Sequence, residues 1–147
     1  MNIIVFGASG RLGSKIIDYA KLNKVKCISV GNKKKCDLNL DLTKTDVSKI
    51  LKKQKPTIIF NCVALTNVDF CNKNFSKAYK MNVISIENLT KAIVKSNIKT
   101  KLIHISTDQV YNNASIRKKN NEKEINLSNG YSITKFLGEL EALKYNN

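Results

Sequence analysis

The chain has 147 residues, 42% of them hydrophobic and 25% charged, which is enough to bury one sizeable core as a single domain. A formal net charge of +15 raises nucleic acid as a partner, but the excess is nearly all Lys, with only Arg11 and Arg117, and it is scattered over every predicted helix rather than gathered with aromatics on one face. Nucleic acid is therefore set aside, and so is a membrane, because no apolar run approaches spanning length and MNIIVFGASG enters a strand with no basic leader, which makes the cytoplasm the expected location.

In chain order, NIIVF (2–6) reads as the first strand, and VFGASGRLGSK follows it with Gly7, Gly10 and Gly13 at the point where a helix opens. Gly7 suits a tight turn, Gly10 lets backbone N–H groups approach a pyrophosphate, and Gly13 lets the helix pack on the strand. At a first strand–helix junction this spacing points to a bound dinucleotide. RLGSKIIDYAKLN then places Leu12, Ile16, Tyr19 or Ala20, and Leu22 on one helical stripe.

VKCISV (25–30) reads as the second strand, and its end decides between cofactors, since an acid there holds a ribose 2′-hydroxyl while basic residues accept a 2′-phosphate. Asn32, Lys33, Lys34 and Lys35 precede the first carboxylate, Asp37, so NADP is favoured, with NAD as the alternative. KTDVSKILKK puts Val47, Ile50 and Leu51 on a second helical face. TIIFNCVA (57–64) is the third strand, entered through Pro56 where a missing N–H is harmless.

SKAYKMNVISIENLTKAIVKSN carries Ala78, Met81, Ser85, Leu89 and Ile93 on one stripe, and KLIHIS (101–106) is the fourth strand. All four runs read as strands buried on both faces. The stretch 112–130 is polar and aperiodic, long enough to be functional or mobile. A final helix brings Tyr131 and Lys135, four residues apart, onto one face beyond the fourth strand, whose carboxyl end bears Ser106 and Thr107.

The alternation predicts an α/β protein, a Rossmann-type doubly wound parallel sheet in the order 3-2-1-4 with right-handed crossovers and helices on both faces. Cys27, Cys36, Cys62 and Cys71 form no C-x-x-C pair and, with the single His104, no recognisable metal set. They read as reduced structural thiols, and His104 as a packed imidazole rather than a base.

GASGRLG, DLTKTD, PTIIFNCVALTNVDFCNKN, AYKMNVISIENLTKA, LIHISTDQVYNN and YSITKFLGELEAL, in this order, resemble the extended short-chain dehydrogenase/reductases, in the branch of the dTDP-4-dehydrorhamnose reductases. The resemblance implies that Gly7, Gly10, Arg11, Leu12 and Gly13 cradle the pyrophosphate and that Asp41 and Leu42 edge the adenine, while the end of the second strand itself offers Lys33 to the 2′-phosphate. Val63, Ala64 and Leu65 pass beneath the cofactor, and Asn82 supports the site from the central helix. Thr107 and Asp108 meet the substrate, Thr107 holding the reacting oxygen. Tyr131 and Lys135 touch the cofactor as well as serving as proton donor and its tuner.

The implied function is NADP-dependent reduction of a nucleotide-linked 4-ketosugar. The alternatives are an epimerase or dehydratase of the same superfamily, since Gln109 stands where such reductases usually carry an aromatic, and a non-catalytic NAD(P)-binding regulatory subunit. Members of the family run on for roughly as many residues again. The expectation is a cofactor-binding domain over 1–147, truncated before its substrate domain, with little turnover alone and an open sheet edge at KLIHIS that invites a homodimer or another partner chain.

Overall fold

The computed structural model describes residues 1–32, 35–111 and 125–146. Five parallel strands, β1 (Asn2–Phe6), β2 (Lys26–Gly31), β3 (Leu38–Asn39), β4 (Ile58–Asn61) and β5 (Lys101–His104), form one sheet in the order β3-β2-β1-β4-β5. The described helices are α1 (Arg11–Leu22), α2 (Ser48–Gln54), α3 (Val68–Lys73), α4 (Phe75–Tyr79), α5 (Ser85–Ser96) and α6 (Gly130–Asn146). A π turn, Lys80–Ile84, joins α4 to α5, and a 3-10 turn spans Asp108–Val110.

The 3-2-1-4 order is present, but its third place is held by a strand the sequence does not reveal. Leu38 and Asn39 pair with Val30 and Gly31, and two residues are too few to show a period. The strand read at 57–64 is β4, beside β1, and the one at 101–106 is β5.

Alternation along β1 explains the two layers of helices. Ile4 and Phe6 enter a core with Leu51 of α2, Ile86 and Leu89 of α5, and Ala142 of α6. Ile3 and Val5 face the other way, onto Ile16, Ile17 and Ala20 of α1. Val47, Ile50 and Leu51 share a buried face, as their spacing predicts.

The stripe expected on α1 is rotated. Leu12, Tyr19 and Leu22 are exposed, the last two by 70% and 80%, while Gly13 and Ala20 are buried and Ile16 and Ile17 half-buried. The helix presents its small residues because it lies close to the strand. A Cβ on Gly13 would sit 2.9 Å from the Ala8 Cα.

Burial on both faces holds for β1 and fails at the flanks. Lys26 and Lys101 are exposed, and Cys27, Ile28, Ile103 and His104 are half-buried. β5 ends the sheet, and among the described residues no strand pairs with its outer edge. Within the polar stretch, residues 112–124 lie outside those described, and Tyr111 and Ile125 on either side form one antiparallel bridge. All four cysteines are free thiols, and among the described residues there is no metal-binding group and no helix long and apolar enough to cross a membrane.

Candidate cofactor and catalytic site

The three glycines of the first loop are bare for different reasons. Gly7 has φ +77°, a left-handed conformation that disfavours side chains, and a Cβ there would lie 2.6 Å from the Cys62 carbonyl carbon. Gly13 is pressed against Gly7 and Ala8. Gly10 is constrained by neither: its φ of −78° and ψ of 171° suit any residue, and an added Cβ would meet only the Gly7 oxygen, at 3.2 Å. Its missing side chain leaves room outside the protein, at the start of α1, where unpaired N–H groups and the helix dipole favour an anion.

Two hollows meet there. One, of about 200 Å³, lies between β1, β2 and β4 and is lined by Gly7, Gly10, Asn32, Asp41, Leu42 and Val63 among others. The second, of about 540 Å³, runs from Gly10, Arg11, Leu12 and Gly13 to Tyr131 and Lys135. Gly10, Cys62 and Ala64 line both. The anion-favouring loop therefore borders both hollows, the place a pyrophosphate takes between the two halves of a dinucleotide.

Most of the residues picked from the sequence thus converge. Lys33 lies outside the described residues, as does Lys34. Leu65 does not line either hollow; its backbone is held instead, N–H donating to Asn82 Oδ1 at 2.7 Å and carbonyl accepting from Asn82 Nδ2 at 3.1 Å. Asp37 does not line the hollow between β1, β2 and β4, its carboxylate accepting from the Ser29 N–H at 2.8 Å and the Ser29 hydroxyl at 2.6 Å. Those bonds hold its pKa below the ordinary carboxylate value. The first acid after β2 is therefore already engaged by β2.

Helix α6 carries the two residues expected to act as proton donor and its tuner. Tyr131 is 8% exposed and Lys135 1%, and the Lys135 ammonium donates to the Ile105 carbonyl at 2.5 Å. Burial lowers the Lys135 pKa to about 8, with Glu139 and Cys62 opposing the shift. Thr107 caps the 3-10 turn, its hydroxyl oxygen accepting from the Gln109 N–H at 3.3 Å, and Asp108 is exposed. Neither Thr107 nor Asp108 lines the hollow with Tyr131; from this strand end Ile105 and Ser106 do.

The register of α6 is set by buried contacts. Besides gripping Leu65, Asn82 in the π turn donates to Thr134 Oγ1 at 3.0 Å, so one amide ties the loop after β4 to the helix carrying Tyr131. Gly138 rests on the same turn, where a Cβ would lie 2.5 Å from the Asn82 carbonyl oxygen. Gly138→Ala should therefore lower stability by about 1–3 kcal/mol, by overpacking that outweighs alanine's better helix propensity. Urea melts of the two proteins measure it, and an unchanged midpoint would show that α6 does not need this close approach.

His104 is a packed imidazole, as its sequence position suggests. Asn61 Oδ1 accepts from the Val63 N–H, so the Asn61 amide nitrogen donates to His104 Nδ1 at 3.0 Å and the ring proton sits on Nε2. Burial, then the Lys135 charge, lowers the His104 pKa to about 3, and the ring is neutral in ordinary buffers. Cys62 is likewise neutral, its thiol raised by burial to about 11. Sequence reasoning missed one pair: the Ser106 hydroxyl donates to Glu139, 33 residues away, one turn beyond Lys135 on α6. The four-residue spacing from Lys135 was legible; the partner was not.

The whole chain, residues 1–147, matches the family model described as the RmlD substrate binding domain. A dTDP-4-dehydrorhamnose reductase of Aggregatibacter actinomycetemcomitans is 31% identical over 115 residues, covering 74% of this chain and 35% of the relative. Methionine adenosyltransferase 2 subunit beta of Xenopus laevis is 29% identical, covering 97% of this chain and 43% of the relative. The crystal structure of dTDP-4-dehydrorhamnose reductase from Bacillus anthracis in complex with NADP is 26% identical, with a TM-score of 0.83 over 99% of this chain and 50% of that one. The chain thus spans less than half the length of these curated relatives.

Proposed function

The chain belongs to the RmlD substrate binding domain family, and from that premise we propose that it binds NADP and carries the acid–base groups for reducing a nucleotide-linked 4-ketosugar. The observation that carries the proposal is the meeting of two hollows at Gly10, with Tyr131 and Lys135 lining one of them. The cofactor fits the residues present, because the gap beside Gly10 is one that a side chain would fill and protein packing does not demand. Gly10, Arg11 and Leu12 would hold the pyrophosphate, Asp41 and Leu42 the adenine end, and Ala64 the join. Residues 1–147 then supply the cofactor-binding part of the activity.

When bound, the nicotinamide cofactor supplies a hydride for a ketone carbon. Tyr131 gives its phenolic proton to the oxygen that becomes an alkoxide. Lys135, held by the Ile105 carbonyl, places a positive charge near that phenol and stabilises its deprotonated form. Thr107, at the end of β5, holds the sugar oxygen, and Asp108 contacts the substrate beside it. Burial of Lys135 keeps water from screening its charge. The free thiols fit a reducing compartment, and we assign the protein to the cytoplasm.

NADP is preferred because Asp37 is bonded to Ser29 rather than turned toward a ribose, while Asn32 lines the nucleotide hollow. NADPH should bind about tenfold more tightly than NADH, a difference of about 1.4 kcal/mol. Fluorescence titration with each cofactor tests this; equal affinities would remove the NADP preference, and no binding of either would remove the whole reading. The Xenopus laevis relative favours a second reading, a nucleotide-binding regulatory subunit. That reading predicts cofactor binding with no turnover, and it is weakened by the intact Thr107, Tyr131 and Lys135.

A further inference from the structure

Among the described residues Lys135 is, after Phe6, the largest fully buried side chain, and a buried ammonium is costly without an opposite charge or the loss of its proton. Four groups bear on it: Cys62 after β4, His104 on β5, Tyr131 one turn earlier on α6, and Glu139 one turn later. At neutral pH the thiol and the imidazole are both uncharged. Glu139 is therefore the anion of the set. No direct ion pair joins it to Lys135; its carboxylate is fixed instead by the Ser106 hydroxyl, at the end of the strand that also presents the Ile105 carbonyl to Lys135.

From these contacts we propose that Glu139 is a positioning residue of the site, anchored by Ser106 and serving as the counter-charge that keeps Lys135 an ammonium. It acts through Lys135 and touches neither cofactor nor sugar. The role rests on the reading of Tyr131 and Lys135 as the acid–base pair, and it gives the Ser106–Glu139 contact a purpose beyond joining β5 to α6. The sign is fixed by the charges. Burial favours the neutral amine and Glu139 favours the ammonium, so removing the carboxylate lets Lys135 lose its proton at lower pH.

The test is an NMR titration of the lysine side-chain Cε and Hε signals in the unaltered chain, with Lys135 identified by the signal lost in Lys135→Met. The expected midpoint is about 8, and about one pH unit lower in Glu139→Gln, which keeps an acceptor for Ser106 but no charge. Glu139→Asp, which retains the charge, should return the midpoint most of the way. A neutral variant that does not fold beside an aspartate variant that does would also support a need for the charge. Identical midpoints in the parent and Glu139→Gln would overturn the inference. The measurement needs no cofactor, so a chain that fails to bind NADPH would remove the functional reading while the Lys135 midpoint still judged Glu139.

Discussion

Tyr131→Phe is expected to slow reduction of a nucleotide-linked 4-ketosugar by about 10²–10⁴-fold, the usual contribution of a positioned general acid, while leaving NADPH affinity within about twofold. The ring packs with Cys71 and Ala78, and with Leu65 and Val68 beside them, so phenylalanine keeps those contacts and loses only the oxygen. Asn82 and Gly138 hold α6 in place independently of that hydroxyl. Single-turnover oxidation of NADPH at high chain concentration and saturating sugar reads the chemistry even where the sugar is held weakly. Retained turnover in the variant would place the acid elsewhere. A parent with firm cofactor binding and no turnover under the same conditions fits both a missing grip on the sugar and the regulatory reading, and parent and variant are then compared in the longer protein.

The other large effect concerns Gly10. Gly10→Val should leave the fold intact and weaken NADPH binding by about 100-fold or more, since a branched side chain would occupy the space beside the anion-favouring end of α1. The backbone there is extended and the modest contact with the Gly7 oxygen can relax, so circular dichroism and the urea midpoint should change little. The same substitution at Gly7 or Gly13 would meet backbone atoms and unfold the loop, which would make lost binding uninformative. Gly10 is thus the position at which fold and ligand separate. Unchanged affinity in a folded Gly10→Val would rule out the loop as the pyrophosphate cradle.

Much of this arrangement is legible in the residues. NIIVF reads as a strand buried on both faces, and it is one, with Ile4 and Phe6 in one core and Ile3 and Val5 in the other. The spacing of Tyr131 and Lys135 on a helix after the last strand brings both to the same hollow as the glycine loop. What escaped has physical causes. Large apolar side chains predict one buried face for α1, yet close approach to the strand selects Gly13 and Ala20. The π turn leaves the spacing of Ala78, Ser85 and Leu89 intact, so periodicity does not disclose it. The Ser106–Glu139 bond joins residues remote in sequence, and nothing in the local pattern of either announces the other.

The way Asn82 fastens the site bears on the order in which the parts can form. The glycine loop and its flanking strands draw most of the nucleotide hollow from residues before Ala64, with short chain separations and a small closure cost. Tyr131 and Lys135 come into place only when α6 docks through contacts that span 52 residues to Asn82 and 30 to Ile105. On the proposed function, a chain emerging from the ribosome would therefore acquire its nucleotide cradle well before its proton donor, and a cofactor captured early would stabilise the half-built sheet against which the last helix must settle.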